Sequence, residues 1–332
     1  MIKRAGINQI YKDKDNEELK YSLRSIFQNL PWIRNIYIIM PNEKVKFLKS
    51  KDRINEKIFY IKDSDILGFD SANIFAFTFN LYKLENFGIS KNFIYMEDDF
   101  FIGKKLRKSD FFYYDINQRK ILPYLLTYHF QIMNVSDILM KYEKLIKSKD
   151  SIHPHSREGW YISILNTELF LLEKYNRKLI TTNFTHNAIA ENLNELREIY
   201  KEIQTYKYIN ETLFSKERNI LTLNQPHFLN LYQLNIMNKK VHSIAYRYIQ
   251  IENINKIKIN SPLFVINTGG NHIPLSRHYR LEKKYMEKMF PFEIKYEVKS
   301  NLKKLFITKI KLFFILLRFY ILSFLLKFIL YN

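Results

Sequence analysis

Three consecutive carboxylates, Glu97, Asp98 and Asp99, directly follow the apolar run Phe93–Met96. An apolar stretch of that length with no polar alternation reads as a strand covered on both faces. Open α/β sheets bind ligands just beyond the carboxyl ends of such strands. Adjacent carboxylates in that position can hold a hard divalent cation, and the cation can hold a diphosphate. The plainer reading of the same residues is an acidic turn that starts the next element. His153 and His155 flank Pro154, a pattern that suits a loop better than a metal site. The chain contains no GxxxxGK[ST] phosphate loop.

The surrounding pattern predicts the elements that must position these carboxylates. Residues 15–30 place Leu19, Leu23, Ile26, Phe27 and Leu30 on one helical face, and Asp15 and Glu18 are spaced as a capping box at its start. Pro31 and Trp32 end that helix, and Ile33–Met40 reads as a buried strand. A second short strand, Lys57–Ile61, leads into an acidic turn at Asp63 and Asp65. Ser71–Phe87 is a mostly apolar helix that precedes the acidic strand. Helix, strand, strand, helix, strand is the order of an α/β sheet domain.

Further along, Phe111–Asp115 and Tyr124–Phe130 read as strands and Trp160–Tyr175 as a helix. Thr185–Tyr206 reads as an amphipathic helix with His186 at its start, because Ile189, Leu193, Leu196, Tyr200 and Ile203 share one side. A helical pattern runs from about Gln225 to Lys239. Pro262–Gly270 is a strand and turn, and Arg280–Glu297 a helix that ends before Pro291.

With 332 residues the chain can bury a substantial core, and 47% hydrophobic against 26% charged residues is a globular balance. It has no cysteine, which excludes disulfides and thiolate metal sites and is compatible with a reducing cytoplasm. The first 18 residues lack an apolar core and do not read as a secretory signal. The net charge of +20 makes phosphorylated substrates and anionic lipid plausible partners. Seven basic residues and no acidic one fall in Lys299–Asn332. Within that tail, Leu312–Tyr331 is 20 residues long with only Arg318 and Lys327 charged, enough to cross a bilayer. Cations spaced inside it fit better with a helix lying in the interface. Because the cations are interleaved with aliphatics, nucleic acid is not an expected partner.

Asp15–Ile39, DNEELKYSLRSIFQNLPWIRNIYII, resembles the second signature region of the Stealth family. FIYMEDDFFIG (Phe93–Gly103) and KSDFF (Lys108–Phe112) fit the continuation of that region. Thr185–Ile199 and Ser215–Leu234 are similar to the two ends of the third region, and Phe264–Asn271 with Met289–Glu297 echoes the fourth. The family's first region, a strand of the type VYTWVDGSD, has no counterpart in the 332 residues, and Thr268 and Gly269 stand where the fourth region has acidic residues.

The resemblance implies transfer of a hexose-1-phosphate, or an N-acetylhexosamine-1-phosphate, from a UDP-sugar to a sugar hydroxyl in capsular or other cell-surface polysaccharide synthesis, with UMP released. By the same carry-over Asp15, His186 and Arg218 are the catalytic candidates, and Asn16 and Arg24 the substrate-binding ones. Asp98 and Asp99 are the candidates for a Mg²⁺ or Mn²⁺ ion. The implied fold is a glycosyltransferase-A-like mixed sheet over residues 1–120, a mainly helical remainder over 121–298, and the tail 299–332. The expected setting is the cytoplasmic face of a bacterial inner membrane, peripheral or tail-anchored, with a polysaccharide or lipid-linked glycan as acceptor. Two other readings stay open: a metal-dependent glycosyltransferase that releases UDP, and a truncated relative without catalysis.

Overall fold

The computed structural model describes residues 17–40, 45, 47–48, 57–69, 71, 73–97, 99–133, 135–147, 151–154, 156–175, 179–184, 188–204, 223–256, 260–267 and 276–297. Asp15, Asn16, Asp98, His186, Arg218, His155 and the tail 299–332 lie outside the described residues.

The first helix runs Glu18–Asn29 and closes with the Leu30 N–H on the Ile26 carbonyl at 2.8 Å. Its N-cap is Glu17, in the left-handed region at φ 63°, with no side-chain cap. Asp15, the other half of the expected box with Glu18, lies outside the described residues. Glu17 is held instead by Lys20 at 3.1 Å and by Lys283 at 2.8 Å. The helix leads to β1 (Ile36–Met40), which pairs in parallel with β2 (Ile58–Lys62). Asp63 and Asp65, expected in a turn, belong to the short helix Asp63–Leu67, where their charge complements the N-terminal dipole.

The single helix expected over Ser71–Phe87 is broken into an α-helix, Ile74–Phe79, and a 3-10 helix, Leu81–Phe87. At the junction the Asn80 amide donates back to the Ala76 carbonyl at 2.8 Å, the local competition that asparagine offers a helix. The acidic strand is β3 (Asn92–Tyr95); β4 (Phe100–Ile102), which follows it in a different sheet, is buried at all three positions. β5 (Phe112–Asp115) and β6 (Lys120–Pro123) form a hairpin.

β7 (Leu125–Met133) leads to the helices Val135–Lys141, Glu143–Lys147 and Arg157–Tyr175, then β8 (Leu179–Phe184) returns antiparallel to β7. Where a continuous helix was expected over Thr185–Tyr206, the chain forms β9 (Ile189–Asn192) and then a helix, Leu193–Ile203. Two contacts decide this. β9 pairs antiparallel with β3, Ile94 facing Ala190 and Tyr95 facing Ile189. Asn192 then caps the helix, accepting from the N–H groups of Asn194 at 2.9 Å and Glu195 at 3.3 Å. The helical stripe beyond Leu193 is as expected, with Leu196, Ile199 and Ile203 buried.

The helix Gln225–Asn235 follows, then β10 (Val241–His242) parallel to β7, β11 (Tyr246–Gln250), and β12 (Leu263–Asn267). β12 lies between β11, to which it is parallel, and β4, to which it is antiparallel. The helix Ser276–Met289 ends before Pro291, as the sequence predicts. The result is a mixed α/β fold of small sheets. Apolar burial falls into three clusters. The largest joins the helices 157–175, 193–203 and 225–235. A second stacks Phe101, Phe264 and Phe290, and a third surrounds Ile102, Phe111 and Ala190. A separate small unit comprises residues 45–54 and 293–332; within it Leu48 bridges antiparallel to Glu297, and both are buried. Among the described residues no helix is long and apolar enough to cross a membrane.

Candidate active site

The acidic segment sits in a tight link between two strands. The Phe100 N–H donates to the Glu97 carbonyl at 3.3 Å, across positions 98 and 99. β4, which begins at Phe100, is tied to the first helix by a buried polar stripe. Ser22 Oγ donates to the Phe100 carbonyl at 2.8 Å, and Asn29 Nδ2 to the Ile102 carbonyl at 2.6 Å. Ser25 Oγ accepts from the Ile102 N–H at 3.0 Å. A helix thus satisfies backbone groups that a neighbouring strand would otherwise take. This fixes the end of the Glu97–Asp99 link against the helix that begins two residues after Asn16.

The sequence reading of this helix rested on its apolar residues and missed the stripe. Its signal was present: Ser22, Ser25 and Asn29 at intervals of three and four, one face of a helix.

A cavity of about 920 Å³ opens beside this segment. Its lining runs through every residue of β1 and of β3 and ends at Met96 and Glu97. Leu19, Leu23 and Ile26 of the first helix contribute to it, as do Phe77 and Leu84. Asp63, at the carboxyl end of β2, also lines it, with its Oδ1 accepting from the Ser64 N–H at 2.7 Å. Asp63 and Glu97 are therefore carboxylates at strand ends that border one space. β3 was expected to be covered on both faces; instead all four of its residues are half-buried. All four also line the cavity.

Of the seven site residues expected from the sequence, two are described. Asp99 is half-buried in the link. Arg24 is buried, with Nη1 donating to the Phe290 carbonyl at 3.0 Å and the guanidinium 5.4 Å over the Tyr21 ring. Asp15, Asn16, Asp98, His186 and Arg218 are outside the described residues. The helix expected to begin near His186 begins at Leu193, so position 186 precedes a strand rather than a helix.

The charges around the site follow from their partners. Burial pushes the Glu17 carboxyl up, but hydrogen bonds from Lys283 and Lys20 outweigh it and hold the group below its ordinary value. Burial raises Glu282 to about 8, with the nearby Glu18 carboxylate adding to the shift. Behind β3, burial likewise raises Glu191, which faces Phe93 across the strand pair. Lys239 Nζ lies 3.0 Å from Glu195 and 3.9 Å from Glu191.

Carboxylates without thiolate or imidazole are the donor set of Mg²⁺ or Mn²⁺, so the residue types at 97–99 fit such an ion. Among the described residues no group of three or more acidic or imidazole side chains is placed to hold a metal.

Comparison with known proteins supports a resemblance carried by this same segment. Residues 12–120 match the model of Stealth protein conserved region 2. A capsular polysaccharide phosphotransferase of Actinobacillus suis is 28% identical over 229 residues, 67% of this chain and 52% of that protein. A protein of the same name from Neisseria meningitidis serogroup B is 33% identical over 101 residues, 30% of this chain and 26% of that protein. The mouse N-acetylglucosamine-1-phosphotransferase subunits alpha/beta are 32% identical over 118 residues, 33% of this chain and 9% of that protein. The chain spans about half the length of the Actinobacillus relative. Residues 12–120 thus carry the second conserved region of the Stealth family, and the relatives that the chain resembles are phosphotransferases by name.

Proposed function

We propose that this chain transfers a hexose-1-phosphate from a UDP-sugar to a sugar hydroxyl of a cell-surface polysaccharide. One observation carries the reading: the strand–carboxylate–strand link at Tyr95–Phe100 lies inside the region matched to Stealth conserved region 2. The acceptor oxygen attacks the β-phosphorus of the donor. The bond from that phosphorus to the bridging oxygen breaks, and UMP leaves. The sugar-1-phosphate is then joined to the acceptor as a phosphodiester.

In this reading His186 takes the proton of the attacking hydroxyl, and Arg218 clamps phosphate oxygens. Asp15, Asn16 and Arg24 act on the donor side, Arg24 by holding the first helix in place. Asp98 and Asp99 would hold Mg²⁺ or Mn²⁺, which when bound offsets the charge of the diphosphate. The core is glycosyltransferase-A-like, with the donor beyond the strand ends marked by Asp63 and Glu97. The basic apolar tail, Lys299–Asn332, attaches the protein to an anionic membrane at the cytoplasmic face, where a lipid-linked glycan acceptor is within reach.

The test is an assay of released nucleotide with the detergent-solubilised protein, Mg²⁺, an oligosaccharide mixture and a panel of UDP-hexoses. UMP is expected, and its release should disappear with EDTA and in His186→Ala. UDP in its place would overturn phosphoryl transfer in favour of glycosyl transfer. If no donor releases nucleotide, even when a first-region strand is fused to the chain, the catalytic reading falls.

A further inference from the structure

The hairpin of β5 and β6 becomes steadily more exposed from base to tip. At its base Phe112 and Pro123, which face each other, are buried. One step outward on the same face Tyr114 and Ile121 are opposed, and both are exposed, Tyr114 at 61%. At the turn Ile116 is 79% exposed, more than any other large apolar side chain among the described residues. Single exposed apolar residues are ordinary, but a group of them at the end of one projection calls for a partner.

Positive charge surrounds this end. Residues 104–121 hold six basic side chains, Lys104, Lys105, Arg107, Lys108, Arg119 and Lys120, against two acidic ones, and all six are exposed. Both acids are engaged by backbone: Asp110 Oδ2 accepts from the Arg107 N–H at 2.6 Å, and Asp115 Oδ1 from the Gln118 N–H at 2.9 Å. The second of these bonds braces the turn, where Arg119 takes a left-handed φ of 51°. Glycine or asparagine suits that conformation better, so the chain keeps a cation at the tip against the backbone preference.

A partner for this end must take up apolar side chains and attract cations at once. An anionic bilayer surface does both, with an acyl boundary for isoleucine and headgroup charge for lysine and arginine. Tyrosine is favoured at the same headgroup level.

We propose that the β5–β6 hairpin docks on an anionic membrane, with Tyr114, Ile116 and Ile121 entering the interface and the six cations contacting headgroups. This contact is separate from the tail Lys299–Asn332. The hairpin is tied to the acidic strand, since Asn92, the first residue of β3, donates from Nδ2 to the Ile121 carbonyl at 2.8 Å. Docking therefore sets how β3, and the carboxylates that follow it, stand against the lipid. Docking itself does not rest on the transfer reading.

The test uses the absence of cysteine from the chain: Ile116→Cys carries a single environment-sensitive fluorophore at the tip. The full chain, diluted out of detergent, is mixed with vesicles of equal parts phosphatidylglycerol and phosphatidylcholine, or of phosphatidylcholine alone. With the anionic vesicles the emission at position 116 should shift to the blue and be quenched by nitroxide-bearing lipid. The same label on Glu198→Cys, exposed on the helix Leu193–Ile203, should do neither. Adding Arg119→Glu and Lys120→Glu to the labelled chain should remove most of the shift. A dye that entered the lipid by its own apolarity would not need those cations. A label at 116 that does not move overturns the proposal; if the protein still sediments with the vesicles, attachment belongs to the tail. An equal shift at both labels, or on phosphatidylcholine alone, overturns it too. So does a shift on raising protein concentration without vesicles, which would make the hairpin a contact between copies of the chain.

Discussion

The Ser25 hydroxyl accepts from the backbone N–H of Ile102 at 3.0 Å and donates to the Ser22 carbonyl at 2.7 Å, and both Ser25 and Ile102 are fully buried. Replacing Ser25 by alanine leaves a buried N–H without its acceptor. The expected cost is roughly 1–3 kcal/mol, read as a lower urea midpoint with an unchanged denaturant slope. Unaltered stability would mean that the helix does not anchor β4 in this way.

Arg24 offers a way to separate architecture from substrate binding. Its guanidinium is committed to the Phe290 carbonyl and the Tyr21 ring. Arg24→Ala is therefore expected to lower stability by about 1.5–3 kcal/mol. If Arg24 instead served the donor directly, the variant would show a raised KM for UDP-sugar with its urea midpoint unmoved.

The buried charges behind β3 make a third prediction. Lys239→Met removes the cation between Glu191 and Glu195 and leaves both carboxylates without it. Breaking a buried pair this way costs about 3–5 kcal/mol. Glu191→Gln added to Lys239→Met should restore part of that loss, as a double-mutant cycle would show.

Glu282 sets a pH dependence. Its ordinary value is 4.5, and burial, with Glu18 nearby, raises it to about 8 in the folded protein. As pH rises above 4.5 the unfolded chain gives up this proton while the folded protein keeps it. The contribution is thus fully present below pH 4.5 and is lost as pH rises through about 8. Glu282→Gln cannot titrate, so its stability should overtake that of the parent by a few kcal/mol across this window. Parallel stability curves for the two proteins would refute the shift.

Much of the frame was legible in the sequence because its signals are local. Apolar runs gave β1, β2 and β3, and Pro291 marked the end of the helix Ser276–Met289. The acidic link was legible for the same reason, as a change of chemistry within seven residues. What misled was periodicity that two structures share. Ile189 and Leu193 fit a helical stripe, but Ile189–Asn192 is drawn into pairing with β3, a tertiary contact that no local window contains. The partnership of Ser22, Ser25 and Asn29 with β4 was hidden for a related reason. Polar residues on a helix are ordinarily read as its solvated side, and only the bare backbone of Phe100–Ile102 shows what they satisfy.

The pairing of β4 with β12 also has a consequence for how the protein is made. About 160 residues separate Ile102 from its partner Leu263. At roughly 5–20 residues per second, synthesis delivers Leu263 on the order of ten to thirty seconds after Ile102. Throughout that interval the apolar edge of Phe100–Ile102 has the first helix on one side and no strand on the other. β3 likewise waits for Ile189–Asn192. A nascent chain in this condition is a natural client for a holding chaperone, and a fragment cut after residue 120 would carry the acidic link with neither of its strand partners.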